Sequence, residues 1–144
     1  MIKIDYPLYQ PKIKKDDNTE YIFDNIRNKW IVLTPEEWVR QNFLNYLINA
    51  LHYPKALIAV EKEINIGDVK KRFDIIVYNK ATQPWMLIEC KEMNVSLSQK
   101  VLTQIINYNV VVKANFLVLT NGVNCVAYGT SNNELLLQLP DFEE

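Results

Sequence analysis

Two segments in the middle of the chain alternate between apolar and polar residues, the pattern of strands whose two faces have different surroundings. The first runs from Lys71 to Tyr78 and the second from Trp85 to Lys91. Both contain many β-branched and aromatic residues, and a polar stretch with Pro84 separates them. They are therefore predicted to form one antiparallel hairpin.

The register of this hairpin brings two acids together. With a turn centred on residues 81 and 82, Asp74 lies opposite Glu89. The same register places Arg72 opposite Lys91. Two apposed carboxylates repel each other unless a cation lies between them. The register thus predicts a divalent-metal site with a lysine beside it.

The alternation gives the two faces of the hairpin different roles. The apolar face, expected to be core, comprises Phe73, Ile75, Val77, Met86, Ile88 and Cys90. The other face, expected to be a site with an apolar rim, comprises Arg72, Asp74, Ile76, Leu87, Glu89 and Lys91. The preceding strand, residues 57–66, turns at Gly67 and Asp68 and so aligns Glu61 with Asp74. The alternative is that these acids simply face water, as charged residues of surface strands commonly do.

A helix is predicted from Thr34 to about Leu51. Thr34 is the expected N-cap, with Pro35 at the first helical position and Glu37 completing a capping box. The stripe expected to be buried consists of Glu36, Val39, Phe43 and Leu47. A buried acid needs a partner, so Glu36 is the predicted helix acid of the metal site, with Glu37 as the alternative.

A second helix is predicted from about Ser96, which forms a capping box with Gln99, to about Val112. Its apolar stripe includes two polar side chains one turn apart, Gln104 and Tyr108. They are expected to point at a specific partner, although buried polar residues often only satisfy local hydrogen bonds.

The remaining segments complete an α/β protein with one domain over residues 21–144, preceded by an irregular arm over residues 1–20. The predicted elements outside the centre are a short hairpin over 21–33, strands over 116–120 and 124–128 joined by the Asn121-Gly122 turn, and a last, leucine-rich strand over 134–139. At least part of that last strand is expected to be buried, since an exposed version implies a dimer contact or a missing partner.

The ordered set of Glu36, Asp74, Glu89-Cys90-Lys91, Gln104 and Tyr108 resembles the PD-(D/E)XK nuclease superfamily. More closely, the chain resembles the N-terminal nuclease domain of type I restriction enzyme R subunits, in a small standalone form. That likeness rests on residues 21–30, 35–41, 60–61, 74, 89–91, 104, 108 and 120–122. It covers roughly residues 20 to 130, with Phe73 in place of the proline of the superfamily name.

The resemblance implies a restriction-endonuclease-like core, in which helices flank a central mixed sheet that contains an antiparallel meander. It also implies a Mg²⁺-dependent endonuclease in which Mn²⁺ can substitute. The implied metal ligands are Asp74, Glu89, the backbone carbonyl of Cys90 and Glu36, with Glu61 as a further candidate. Lys91 would position the attacking water, and Gln104 and Tyr108 would orient Lys91 or a phosphate.

Charge argues against a strong grip on DNA by this chain alone. The 144 residues carry a formal net charge of -1, whereas domains that hold a duplex unaided are usually basic. Lys70, Lys71 and Arg72 are the expected phosphate contacts. Lys12, Lys14 and Lys15 read as part of a solvated arm.

The sequence also bounds the class of protein and its partners. It has no Gly-rich phosphate loop for ATP, so ATP-driven translocation would have to come from another chain. It also has no signal peptide and no membrane span, and Cys90 and Cys125 are expected to be buried and reduced. These three features predict a cytoplasmic location. The lone His52 is expected at a helix end. Nucleic acid, with DNA first, is the expected partner, and a helicase, translocase or restriction-modification subunit or a second copy of the chain are further options. The alternative function is a non-catalytic binding or regulatory module that retains the nuclease fold.

Overall fold

The structure is a computed structural model that describes residues 1–142, so the last two residues of the predicted domain lie outside it. Its helices are α1 (Pro35–Asn45), extended by a π-turn over Tyr46–Ala50, and α2 (Gln99–Val112). A short 3₁₀ turn spans Lys55–Leu57. The strands are β1 (Ile2–Lys3), β2 (Ile13–Asp16), β3 (Thr19–Asp24), β4 (Lys29–Val32), β5 (Ile58–Ile66), β6 (Val69–Tyr78), β7 (Pro84–Cys90), β8 (Phe116–Thr120), β9 (Asn124–Gly129) and β10 (Glu134–Leu135).

Seven of these strands form one mixed sheet in the order β1-β9-β8-β7-β6-β5, with β10 also paired to β9. The β5–β6–β7 meander is antiparallel, and β7 and β8 are parallel because α2 carries the chain back across the sheet. The prediction of an α/β protein with a mixed sheet and an antiparallel meander is confirmed. Strands β2, β3 and β4 form a separate small sheet.

The register of the central hairpin is as predicted, with Ile75 opposite Ile88 and Val77 opposite Met86. The pairing of β6 with β7 ends at Ile75, so Asp74 and Glu89 are the next residues beyond the last pair. The expected pair of Arg72 and Lys91 is therefore wrong, and Arg72 instead lies opposite Glu63 of β5.

The alignment of β5 with β6 also follows the prediction, because the pairs Val60–Ile75 and Lys62–Phe73 flank the place where Glu61 would meet Asp74. Glu61 itself has a left-handed backbone with a φ of 52° and interrupts the ladder. This interruption changes which face the residues of β6 use. Phe73 was expected beside Ile75, but it packs in the opposite layer with Ile76 and Leu87.

Helices cover both faces of the central sheet. Residues Phe43 and Leu47 of the first helical segment pack on Ile75, Met86 and Ile88, and Ile105 of α2 packs on Ile76 and Leu87 on the other side. The expectation that one face of the hairpin would be an open site is therefore wrong over most of its length. The polar residues Asp74 and Glu89 lie at the end of the hairpin where the pairing of β6 with β7 stops.

Other expectations need smaller corrections. The hairpin over residues 21–33 is confirmed as β3 and β4, but the arm before it is not irregular throughout, since β1 pairs with β9 and β2 with β3. Ser98 rather than Ser96 caps α2. The last strand covers only Glu134–Leu135.

The leucines of that last segment are divided between core and solvent, since Leu139 is 7% exposed and Leu137 is 97% exposed. Cys90 and Cys125 are buried and free, as predicted. His52 follows the helical segment with a left-handed φ of 59°. Neither helix in residues 1–142 combines the length and the apolar composition that a membrane span requires.

Candidate active site

Two carboxyl groups meet where β6 separates from β7. Asp74 accepts a hydrogen bond through Oδ2 from the backbone N–H of Cys90 at 2.8 Å, which fixes its side chain against the end of β7. Glu89, the preceding residue of β7, is only 8% exposed, and its carboxyl group meets that of Asp74. The predicted apposition of these two acids is therefore present.

Burial first, and then the hydrogen bond and the charge of Asp74, together raise the pKa of Glu89 to about 8 against the opposing effect of Lys71. Two carboxylates in one partly dry place cannot both ionise without a compensating cation. A protonated Glu89 can donate a hydrogen bond to Asp74, which relieves the repulsion. The proton shared by Asp74 and Glu89 thus occupies the place where a cation could also neutralise the two carboxylates.

Lys71 faces the site rather than the solvent. Its Nζ lies 2.9 Å from Oε1 of Glu89 and also lies over the rings of Phe73 and Tyr108, at 5.2 and 5.6 Å from their centroids. Nζ donates its hydrogen bond to the carbonyl of Arg72 at 2.9 Å, so its contact with Oε1 of Glu89 is an ion pair and leaves that buried oxygen without a hydrogen bond. Of the basic residues expected to meet phosphate, Lys71 is the one that reaches the acids, while the side chain of Arg72 pairs with Glu63.

The two acids of α1 have exchanged the burial expected of them. Glu36 is exposed, whereas Glu37 is 5% exposed. Thr34 is the N-cap and accepts from the N–H of Glu37 at 3.0 Å, as predicted, but the Glu37 carboxylate bonds to Gln41 and to Arg27. The prediction that Glu36 is buried is wrong, although the rest of its stripe, Val39, Phe43 and Leu47, is buried as expected. The buried face of the helix is wider than predicted and extends to Glu37, Arg40 and Gln41 instead of Glu36.

Glu36 nevertheless lies beside the carboxylate pair. Its pKa is raised, first by loss of surrounding water and then by the charge of Asp74, and the charge of Lys91 lowers it in opposition. Lys91 follows the end of β7, is half-buried, and donates its backbone N–H to the carbonyl of Thr120 at 2.8 Å. Glu36, Asp74 and Lys91 are therefore close enough to feel one another's charge.

Sequence reasoning missed two arginines that join this site to the small sheet. Arg40 is 5% exposed and contacts Asp74 at 3.4 Å and Glu61 at 3.1 Å. Arg27 contacts Asp24 at 2.7 Å, Glu61 at 3.1 Å and Glu37 at 3.3 Å. The available signal was spacing, because Arg40 stands three and four residues after the two acids of the helix and so shares their face.

Ion pairs with these two arginines hold the carboxylate of Glu61. Arg40 contacts Oε1 of Glu61 and Arg27 contacts Oε2, so both oxygens face guanidinium groups. Glu61 was a candidate metal ligand, but here it completes an ion network. On α2, Tyr108 reaches the site through Lys71, whereas Gln104 is exposed.

The donor set suits one kind of metal. Within residues 1–142, no group of three or more His, Cys, Asp and Glu side chains is arranged to hold an ion, which does not suit zinc with its three or four protein ligands. Asp74 and Glu89 offer two hard oxygen donors, and Oε1 of Glu89 is buried without a hydrogen bond. Mg²⁺ is commonly held by one or two carboxylates and retains water in its other positions, so the pair fits that ion.

A family comparison identifies the chain's relatives. Residues 35–141 match the model of the family described as Type I restriction enzyme R protein N terminus (HSDR_N). The chain belongs to this family. The predicted likeness to type I R-subunit N termini is therefore confirmed, and the matched range contains the acids of α1, β6 and β7 as well as Lys91 and Tyr108. No match was found among curated proteins.

The matched range begins at the first residue of α1, so the small sheet and Arg27 precede it. A sequence outside the family match thus contributes directly to the ion network around Asp74. The resemblance over residues 21–30 also lies in this part of the chain.

Proposed function

We propose that this protein is a metal-dependent endonuclease of the PD-(D/E)XK type, with DNA as its substrate. The observation that carries the proposal is the apposition of Asp74 and Glu89 at the open end of the hairpin, with Lys91 next in the chain after Cys90. Membership of the R-protein N-terminus family supports it. Two acids can hold a catalytic metal ion, and a lysine beside them can stabilise the negative charge that develops on a phosphodiester during hydrolysis.

The two acids are the proposed Mg²⁺ ligands, with the carbonyl of Cys90 as a further oxygen donor. When bound there, the ion would supply Lewis acidity to the scissile phosphate and lower the pKa of a coordinated water. Asp74 is held ready for this role by the Cys90 N–H and by Arg40. The proton on Glu89 has to leave before it can serve as an anionic ligand, so activity should rise with pH.

Lys91 is the proposed group that positions the attacking water and stabilises the negative charge that develops on the phosphate. Glu36 carries the opposite charge nearby and would hold the Lys91 ammonium or a water in place. Glu37 is engaged with Arg27 and Gln41, so its proposed role is structural. Tyr108 supports Lys71 by ring contact, and the role of Gln104 stays a prediction from the family resemblance.

The test is a cleavage assay with labelled duplex, single-stranded and flap DNA and with RNA, each in Mg²⁺, in Mn²⁺ and in EDTA. Wild type should cleave at least one DNA substrate in either metal and none in EDTA. Lys91→Ala should be inactive, and Lys100→Ala, which changes an exposed lysine at the start of α2, should retain activity. Equal products from wild type and Lys91→Ala would end the enzyme proposal.

Two observations favour a second candidate, a non-catalytic binding module that retains the fold. Lys71 already provides a positive charge at Glu89, as a metal would, and the net charge of -1 gives little attraction for DNA. Calorimetry with Mn²⁺ separates the two candidates. The nuclease proposal expects heat from wild type and none from Asp74→Asn, whereas the module expects no heat from either.

A further inference from the structure

The small sheet has an outer face that carries aromatic and basic side chains. In β3, Ile22 and Asp24 are fully buried, so the alternate residues Tyr21 and Phe23 point away from the protein. Cross-strand pairing places Lys14 and Val32 beside Tyr21, and Trp30 beside Phe23. We call the resulting surface the aromatic–lysine face, which consists of Lys12, Lys14, Tyr21, Phe23, Trp30 and Val32.

The lysines of this face lie over its rings. Nζ of Lys14 is 4.5 Å from the ring centroid of Trp30 and 5.7 Å from that of Tyr21. Nζ of Lys12 is 5.8 Å from the centroid of Phe23. The rings of Phe23 and Trp30 meet edge to face at 5.3 Å, so they form one continuous platform.

Solvent reaches the platform, since Trp30 is 38% exposed and Val32 is 48% exposed. Core packing does not require these rings, because the inner face of the same sheet supplies Ile22 to the interior. A contiguous aromatic surface left in water commonly marks a binding site. Cation–π contacts hold the lysine ammonium groups over these rings, so the face presents positive charge where a ligand would lie.

The chemistry of the face selects the ligand. A ligand that stacks on these rings must have flat groups that are not already stacked on one another. A ligand that also pairs with the neighbouring lysines must carry negative charge beside its flat groups. Unpaired nucleobases joined by phosphates meet both requirements, whereas the bases of a duplex are already stacked on one another. The acids of the sheet, Asp16, Asp17 and Glu20, gather at the β2–β3 turn, away from the end that bears Phe23 and Trp30.

We propose that the aromatic–lysine face binds single-stranded nucleic acid, with bases stacked on Trp30 and Phe23 and phosphates held by Lys12 and Lys14. Bases displace the ammonium groups from the rings, and the flexible lysine stems carry those groups to the backbone of the strand. The sheet is anchored for this task, because Asp24 on its inner face accepts from Gln41 of α1 at 2.8 Å. Binding at this face does not depend on cleavage by the acids of the hairpin.

Fluorescence anisotropy of labelled oligothymidine, titrated with the protein in EDTA, tests the proposal without any cleavage. Trp30→Ala should weaken binding by about tenfold, within the range known for one base stacked on one aromatic ring. The matched control is Trp38→Ala, since Trp38 is 36% exposed and lies outside the face. A duplex of the same length should bind more weakly than the single strand.

A salt series on Lys14→Gln gives a second readout that leaves the rings in place. Loss of one phosphate contact on a single strand should reduce the slope of log affinity against log salt by about 0.7, and Lys100→Gln should leave it unchanged. If Trp30→Ala does not fold, this series decides the question. Equal weakening by Trp30→Ala and Trp38→Ala, tighter binding of duplex, or no binding together with self-association through this face would each overturn the proposal.

Discussion

Glu89 holds a proton at neutral pH because its surroundings are dry and already contain the charge of Asp74. Its pKa is raised from 4.5 to about 8, so between these values the folded protein binds a proton that the unfolded chain releases. Stability should therefore fall as pH rises through this window in the absence of metal.

Glu89→Gln cannot titrate, so its free energy of unfolding should depend less on pH across the same window than that of wild type. Across this window, the free energy of unfolding of wild type should fall by at least about 1 kcal/mol more than that of Glu89→Gln, since one pKa unit is worth about 1.4 kcal/mol. Urea unfolding in EDTA at a series of pH values from about 5 to 8 measures it. Parallel curves for the two proteins would show that Glu89 has an ordinary pKa.

The two arginine ion pairs at 3.4 Å differ in burial and in the number of acids contacted, because Arg40 also contacts Glu37 and Glu61. The side chain of Arg40 is 6% exposed at Asp74, whereas that of Arg72 is 59% exposed at Glu63. Arg40→Ala removes the guanidinium from Asp74 and leaves Arg27 alone to neutralise Glu37 and Glu61, so it should lower the free energy of unfolding by about 3–5 kcal/mol. Arg72→Ala should change it by no more than about 1 kcal/mol.

Chemical denaturation of both variants checks this expectation, and Arg40→Lys separates charge from geometry. Lysine keeps one charge but cannot contact two acids with a planar fork, so it should restore only part of the loss. A small effect of Arg40→Ala would mean that the acids of the network relax into solvent when the guanidinium is removed.

At single positions, the sequence predicted pairing better than burial. Asp74 and Glu89 were placed together because the register of a hairpin follows from its turn and its apolar alternation. Glu36 and Glu37 were assigned the wrong burial because the apolar stripe of α1 reports only part of its buried face, and Glu37 is buried by Arg27 and Gln41 beside that stripe. Arg40 and Gln41 are buried by partners from other segments, and no local pattern reports such partners.

At the level of elements, most strands and both helices were predictable because each has its own periodicity or turn residues. The N-cap of α2 was displaced because Ser96 and Ser98 are equally good candidates, and only the backbone shows that Ser98 accepts from Val101 at 3.3 Å. The strand β2 was missed because its residues, Ile-Lys-Lys-Asp, have no strong strand preference. Its hydrogen-bonded pairing with β3 holds these residues in the strand conformation that their own sequence does not favour.

Two glycines with left-handed backbones offer a test of how turns contribute. Gly67, in the β5–β6 turn, has a φ of 63° and open space around an added Cβ, whereas Gly122 has a φ of 89° and would place that Cβ 3.2 Å from Val39. Gly67→Ala should lower stability by about 1 kcal/mol through backbone strain alone. Gly122→Ala should lower it more, because Val39 of α1 must also move.

Thermal unfolding of the two alanine variants measures the difference, and Gly67→Asn serves as a control, since asparagine tolerates the left-handed region. Equal losses for both alanine variants would show that Val39 yields without cost. The contact between Gly122 and Val39 joins the turn before β9 to α1, so the result also reports how firmly that helix is held.

For the whole molecule, the charge distribution predicts weak and unselective binding to duplex DNA. The net charge is -1, and two of the three basic residues expected to meet phosphate, Lys71 and Arg72, already pair with acids. Few counterions are then released, and the salt slope should be shallow, at about -0.9 for each phosphate contact. Anisotropy with duplexes of unrelated sequence checks this, and nanomolar, sequence-dependent binding at physiological salt would reveal a missed recognition surface.

The family and the main sheet were predictable because they depend on the order of motifs and strands along the chain. The covering of both sheet faces by helices was not predictable, since the apolar residues around the acids are compatible with an open cleft and with a layer buried beneath a helix. Ile76 and Leu87 show the second outcome, because both are fully buried under α2.

The strand β5 lies at the edge of the main sheet and, within residues 1–142, pairs on one side only. Nine residues of unpaired edge form a template on which a second molecule could add its own strand. The left-handed Glu61 breaks this template near its middle, and the charged side chains of Lys62 and Glu63 stand exposed beside it. Glu61, which contacts both Arg27 and Arg40, thus also makes the edge of β5 a poor template for strand addition. A straight, uncharged β5 would instead favour the addition of further strands and the growth of fibres.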